Sequence, residues 1–233
     1  MISTPTTRRV LKSAVFIASL SPFLFDACSA LTNRLGPHAY RVIIQDTGKW
    51  SLWFITLTLA LTPLRRMTSA HGLVRYRRMV GLFAFFYGAM HTLTYVVFDR
   101  VAGLDLPLDS DASSTIGALT VSTVHDIWDK PFLAIGVAAF VLMVPLAGTS
   151  TSGMIRRLGG TTWRRLHRLI YVVAIASLLH HWWPLTDHFR VDRFGVLIGI
   201  SLVARGVVWL RARRHTSVGV SARERVASAL PAS

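Results

Sequence analysis

A bundle of six membrane-crossing helices with both termini in the cytoplasm is the fold this all-α sequence predicts. Three observations carry that reading. Of the 233 residues, 52% are hydrophobic and the mean hydropathy is +0.46, too apolar for an ordinary soluble domain. The apolar residues gather into runs far longer and less alternating than barrel strands, so the backbone must satisfy its hydrogen bonds as helices. The 26 Lys and Arg residues outnumber the 11 Asp and Glu, and they fall in short clusters between the runs, as in cytoplasmic loops that orient a membrane protein. That clustering sets nucleic acid aside as the partner of the +15 formal charge and makes membrane lipid the surroundings. The single cysteine, Cys28, excludes an intrachain disulfide framework and any multi-cysteine iron–sulfur or zinc site.

The first helix covers about Ser13 to Leu31 behind the basic stretch Arg8 to Lys12. Its small residues Ala27 to Ala30 resemble a signal cleavage site, but its length, Pro22, Asp26 and the spans that follow favour an uncleaved helix. A loop with Arg34, His38 and Arg41 leads to a second span, about Trp50 to Leu64, which Pro63 is expected to stop. The connection from 65 to 78 holds five arginines and no acid, the clearest cytoplasmic loop in the chain. A third span, about Met79 to Phe98, carries Gly81, Gly88 and His91, then gives way to an acidic, polar stretch from 99 to 130 that reads as a periplasmic loop. Pro131 suits the first turn of a fourth span, which ends near Ala147 before a second basic connection with Arg156, Arg157, Arg164 and Arg165. The fifth span is the stretch Thr161 to Trp183, closed by an interfacial tryptophan pair and Pro184. A short loop with Asp187, His188 and Asp192 precedes the sixth, about Phe194 to Leu210, and Arg211, Arg213 and Arg214 anchor its end. One transmembrane domain thus occupies 1–214, and 215–233, small and polar, is expected to be a disordered cytoplasmic tail.

Histidines inside membrane helices are costly unless they face a cavity, a partner or a metal. His91 lies 13 residues beyond Arg78 and His180 lies 15 beyond Arg165. At 1.5 Å per residue both fall roughly 20 Å from the cytoplasmic boundary. Two imidazoles at one depth on two helices are what a six-coordinate b-type heme requires, one on each face of the porphyrin. Gly88, one turn before His91, either leaves room for a flat macrocycle or serves close helix packing. His167 sits near the cytoplasmic surface opposite Arg77 or Arg78, and reads equally as a cofactor group or as an interfacial histidine. In a straight helix His181 falls about 40° from the His167 face and His180 about 140° away, so periodicity alone favours His181. His38, His71, His125, His188 and His215 read as solvated, and Trp50, Trp128, Trp182, Trp183 and Trp209 as interfacial anchors.

Five stretches resemble the MsrQ (YedZ) family within the ferric-reductase-like transmembrane group: Thr47-Gly48, Leu61 to Arg65 (LTPLR), Arg77 to Leu82 (RRMVGL), His91 to Tyr95 (HTLTY), and Leu158 to Tyr171 (LGGTTWRRLHRLIY) with His180 downstream. The resemblance spans about residues 10 to 210. It implies His91, His167 and His180 as the functional histidines, with His91 and His180 as iron ligands, and therefore a locally distorted fifth helix. Further implications are one or two hemes b, FMN as a candidate second cofactor, and a place in the bacterial inner membrane. Electrons would enter from the quinone pool or a flavin reductase and leave to MsrP, a periplasmic molybdenum-containing methionine sulfoxide reductase subunit. The chain lacks both a second histidine on the third span and a flavin and nicotinamide domain, so it resembles an electron-transfer subunit rather than a complete oxidase.

Two competing readings accompany this one. A stand-alone transmembrane ferric or cupric reductase would use the same hemes without a protein partner. A non-redox scaffold or proton-coupled transporter would use the histidines as relays, but no acidic residue lies deep in a span apart from Asp26 near an end, which counts against it.

Overall fold

The computed structural model describes residues 5–68, 72–99, 111–183 and 193–207, and every regular element among them is helical. In chain order these are α1 (Pro5–Leu31), α2 (Ala39–Thr68), a 3-10 turn (Leu73–Tyr76), and α3 (Arg77–Thr94), which widens into a π turn (Tyr95–Asp99). There follow α4 (Ala112–Asp129), α5 (Pro131–Gly148), α6 (Ser152–Leu166), α7 (Leu169–Trp182) and α8 (193–207). Three helices are long and apolar enough to cross a membrane, Thr6–Leu31, Arg77–Phe98 and Pro131–Gly148, and Leu169–Trp182 is a shorter apolar helix. The chain is therefore a helical multi-span membrane protein. The expected tail from 215, Trp209, the arginines at 211, 213 and 214, and His71, His188 and His215 lie outside the described residues.

Two helix pairs organise the bundle. α2 packs along α3 and α5 along α7, with thinner contact between the pairs. Leu52, Ile55 and Leu59 of α2 meet Val80, Phe83 and Tyr87 of α3, and Met143, Ile170, Val173, Phe194 and Ile198 extend that core to α5, α7 and α8. Phe54 stacks on Tyr87 with ring centroids 5.3 Å apart. The Tyr87 hydroxyl enters the α1 backbone one residue after Pro22. It donates to Ser19 O at 2.9 Å and accepts from the Phe23 N–H at 3.1 Å, which ties α1 to the core. Pro22 leaves Ala18 O without its usual donor, and the Ser21 hydroxyl donates to that carbonyl at 3.0 Å.

The structure differs from the sequence reading in four places. α2 begins at Ala39 and continues through Pro63 to Thr68 instead of stopping at the proline. The carbonyl that Pro63 deprives of a partner, Leu59 O, accepts instead from the Arg205 side chain, with Nε 3.1 Å and Nη2 2.6 Å away. The stretch from 99 to 130 contains an 18-residue helix, α4, capped by Asp111, whose side chain accepts from the Ser114 N–H. Residues 149–165 are largely helix rather than loop. α6 starts at an N-cap, Thr151, and bends where Gly159 takes φ 72°, a conformation glycine adopts without strain. The fifth span, expected as one locally distorted helix, is two helices, because the chain turns at His167 and Arg168 between α6 and α7. α7 alone, with 14 residues, is about 21 Å long against a bilayer core of about 30 Å.

Candidate functional site

His91 stands near the end of α3 and His180 near the end of α7, and their rings meet with centroids 6.0 Å apart and planes at 80°. Each is held by a helix other than its own. The His91 Nδ1 lies 2.8 Å from Ile44 O on α2, and the His180 Nδ1 lies 2.7 Å from Phe132 O on α5. A carbonyl acceptor fixes the tautomer with hydrogen on Nδ1, so that Nδ1 donates and Nε2 keeps its lone pair. Neither Nε2 makes a hydrogen bond among the described residues.

One turn beyond each accepting carbonyl stands a glycine on which the imidazole rests. A Cβ on Gly48 would lie 3.0 Å from the His91 Nδ1, and one on Gly136 would lie 2.6 Å from the His180 Nδ1. The two halves of the site thus repeat one device, a helix carbonyl to orient the ring and a bare glycine to let it approach. Gly88 works differently. Its Cβ would meet the Ser51 hydroxyl at 3.3 Å, and Ser51 donates to Ala84 O at 2.9 Å, so Gly88 serves the close packing of α2 on α3 while also lining the cavity.

That cavity, about 480 Å³, lies between the two helix pairs and reaches both histidines. Leu52, Ile55, Val137, Phe140 and Met143 make one part of its lining apolar, while Gln45, Lys49, Thr92, Tyr95 and Thr123 supply polar groups. α4 closes one wall with Thr123 and Ile127. Its Asp126 accepts from the Tyr95 hydroxyl at 2.8 Å and pairs with Lys130 at 3.0 Å. Two imidazoles bound to opposite sides of one metal, with metal–nitrogen bonds of about 2.0 Å and roughly 1.1 Å from nitrogen to ring centre, have centroids about 6.2 Å apart. The observed 6.0 Å fits that requirement. Among the described residues no group of three or more His, Cys, Asp or Glu side chains gathers as a bare ion would need. Two imidazoles are too few donors to hold a bare ion by themselves, and the pair could instead complete the coordination of a metal that arrives already bound in a planar ring.

The other histidines stand apart from this pair. His181 also lines the cavity, but its ring packs edge-on against Phe194 with centroids 5.5 Å apart. His167 caps α6, stacks on Trp163 at 4.0 Å, and places Nε2 3.5 Å from the Ser150 hydroxyl, so its contacts lie at the corner between α5 and α6. Trp163 donates to Thr149 O at 3.0 Å and pins that corner. His125 is exposed and paired with Asp129 at 3.0 Å. Sequence reasoning missed Gly136 and the carbonyls of Ile44 and Phe132, for which no local signal exists.

Residues 47–178 match the model of the family described as "Ferric reductase like transmembrane component". Across nearly the whole chain there is 39% identity to the protein-methionine-sulfoxide reductase heme-binding subunit MsrQ of Herminiimonas arsenicoxydans, covering 93% of this chain and 94% of that one. The MsrQ of Ralstonia nicotianae is also 39% identical, over 92% and 94% of the two chains, and that of Bordetella pertussis is 36% identical over 91% and 98%. This chain belongs to the MsrQ family. The matched family segment opens at Thr47, beside the Gly48 on which His91 rests, and takes in His91, Gly136 and His167, while His180 follows two positions after it. No solved structure matches the chain.

Proposed function

We infer that this MsrQ-family protein is a b-type cytochrome of the bacterial inner membrane that passes electrons to a periplasmic methionine sulfoxide reductase catalytic subunit. The observation that carries the reading is the pair of imidazoles 6.0 Å apart, each oriented by a carbonyl of a different helix. His91 and His180 would hold the heme iron, and Gly48 and Gly136 admit their rings. When bound, a heme supplies a one-electron carrier inside the bilayer. The chain's own residues hold both nitrogens at fixed spacing and keep the surroundings largely apolar, which limits the rearrangement that each electron demands. Gly88 borders the same cavity. Reduction of a sulfoxide to a thioether and water takes two electrons and two protons at the partner, so this chain delivers electrons singly, twice per turnover.

The arrangement in the membrane follows from charge. Six spans place both termini, the arginines from 65 to 78 and those of α6 in the cytoplasm, and the end of α3 with α4 toward the periplasm. His91, near the outer end of α3, then lies close to the surface where MsrP, the molybdenum-containing partner, would dock. Entry is from the cytoplasmic half, by quinol or a flavin reductase, with FMN as a candidate second cofactor near His167.

The test is reoxidation in vesicles. Heme-reduced protein is expected to be reoxidised by the periplasmic reductase with a methionine sulfoxide substrate, and not by the substrate alone. His91→Ala and His180→Ala should each lose the low-spin bis-imidazole spectrum, while His181→Ala keeps it. Equal reoxidation by ferric chelates without the partner would transfer the assignment to a stand-alone metal reductase, and purified protein without a reducible Soret band would end the cytochrome reading.

A further inference from the structure

α4 carries Asp126 and Thr123 toward the cavity and turns an apolar stripe away from it. At 100° per residue, Gly117, Val121, Val124 and Trp128 fall within about 60° of one another. Val121 is 70% exposed, Val124 60% and Trp128 89%. Asp126 points the opposite way, about 170° from the middle of that stripe, and is buried. The Tyr95 hydroxyl and Lys130 hold it at 2.8 and 3.0 Å. Thr123, on the same side, lines the cavity with an Oγ1 that is buried and without a partner among the described residues. A helix on a water-covered surface shows the reverse pattern, with polar residues outward and apolar residues inward. Along one edge of the stripe the exposed His125 and Asp129 pair at 3.0 Å, and along the other Thr120 donates its hydroxyl to Ile116 O at 2.8 Å. No lysine or arginine occurs between 112 and 129.

Two contacts fix the depth of this helix. The Tyr95 bond sets Asp126 level with the residue one turn past His91 on α3. Trp128 precedes Pro131 by three residues, which at about 3.5 Å each keeps it within about 10 Å of the start of α5. α5 has 18 residues, about 27 Å of helix against a hydrocarbon core of about 30 Å, so Pro131 stands at the edge of that core. The C-terminal half of α4 is therefore held at the boundary between acyl chains and headgroups, where tryptophan rings concentrate. α4 is not itself one of the helices apolar enough to cross. We propose that α4 is seated in the outer boundary of the bilayer, with Gly117, Val121, Val124 and Trp128 against lipid acyl chains and Asp126 toward the imidazole cavity. Lipid on one face, and Tyr95 and Lys130 on the other, then clamp the helix in place as the cavity's wall. The outer side rests on the orientation proposed above, whereas the seat rests only on the stripe and its distance from α5.

The experiment uses the full chain in phosphatidylcholine nanodiscs, with Cys28→Ser removing the exposed native thiol. Val121→Cys, Val124→Cys and Asp129→Cys are alkylated with a charged, water-soluble maleimide, and the rates are read by mass spectrometry. The thiols of Val121→Cys and Val124→Cys are expected to react about tenfold or more slowly than that of Asp129→Cys, the factor of a single unit in thiol ionisation where water is excluded. Equal rates at the three positions would overturn the seat, and protection that appears only after the periplasmic reductase is added would give the stripe to that protein instead. Photolabelling of the unaltered chain by a lipid with a diazirine on its acyl chain covers the case in which a variant does not fold. Adducts are expected on the peptide from 117 to 128, and adducts on α1, α3 and α5 with none on α4 would overturn the proposal. Both readouts report the seat whether or not heme is bound, so loss of the cytochrome reading leaves them standing. A reporter fused after Asp111 tests the orientation apart from the seat, and its activity in the cytoplasm would overturn the outer placement alone.

Discussion

Placing a single methyl group at Gly136 should loosen the axial site more than any other small change in the bundle. The Cβ of alanine would stand 2.6 Å from the His180 Nδ1, 2.7 Å from Cε1 and 3.0 Å from Cγ. No carbon–nitrogen contact survives at that range, so the imidazole must move and surrender its 2.7 Å bond to Phe132 O. Losing that bond costs about 1 kcal/mol, or up to about 3 if the carbonyl is left unpaired. The overpacking itself adds about 1–3 kcal/mol. Loss of a partner that orients a metal ligand corresponds to about 10–100-fold in metal affinity, and Gly136→Ala should weaken heme retention in that range. Alanine also favours a helix over glycine by about 1 kcal/mol, which offsets only part of that cost, so the heme-free protein should be less stable by about 1–5 kcal/mol and heme retention is compared under conditions where both proteins stay folded. Gly48→Ala should act in the same sense but more weakly, since its Cβ meets the His91 ring at 3.0 and 3.2 Å. Gly88→Ala, with its nearest contact at 3.3 Å on the movable Ser51 hydroxyl, should do least. The assay is transfer of heme to excess apomyoglobin, followed with the low-spin spectrum. A Gly136→Ala protein that holds heme as tightly as wild type would refute the account of how His180 is seated.

Tyr87→Phe removes the hydroxyl that both donates to Ser19 O and accepts from the Phe23 N–H. It should lower thermal stability in detergent by about 1–3 kcal/mol, with proteolysis of α1 accelerated. At the cap of α4, the hydroxyls of Ser114 and Ser113 hold the Asp111 carboxyl down to about 2. A depressed carboxylate contributes stability above its unfolded value of about 3.9 and loses it as pH falls through about 2. Amide exchange at the first turn of α4 should therefore quicken across that window in wild type and show no such transition in Asp111→Ala. Reporter fusions after Arg66 and Arg157 should be active in the cytoplasm and those after Asp111 in the periplasm. The opposite pattern would invert the direction of electron flow argued above.

What the sequence alone determined is what depends on local sums. Apolar runs set the membrane class and arginine clusters the expected orientation, since both act residue by residue against lipid and water. Pro131 at the start of α5 was legible for the same reason, because its fixed φ and missing N–H matter only to its own turn. The two histidines could be named from depth and resemblance, but not what holds them. His91 and Ile44 are 47 positions apart, and His180 and Phe132 are 48. Where a helix continued past Pro63, the deciding donor came from Arg205, 146 positions beyond Leu59. Where the fifth span broke, the pieces were set by Trp163 stacking on His167 and donating to Thr149 O, contacts that no hydrophobic period contains. α4 escaped notice because the acidic and polar residues from 99 to 130 read as a loop, and it becomes a cavity wall when Tyr95 and Lys130 hold Asp126. Hydropathy fixes which segments enter the bilayer. Hydrogen bonds and glycine contacts between helices distant in sequence fix which faces meet, and those exist only once the chain has folded.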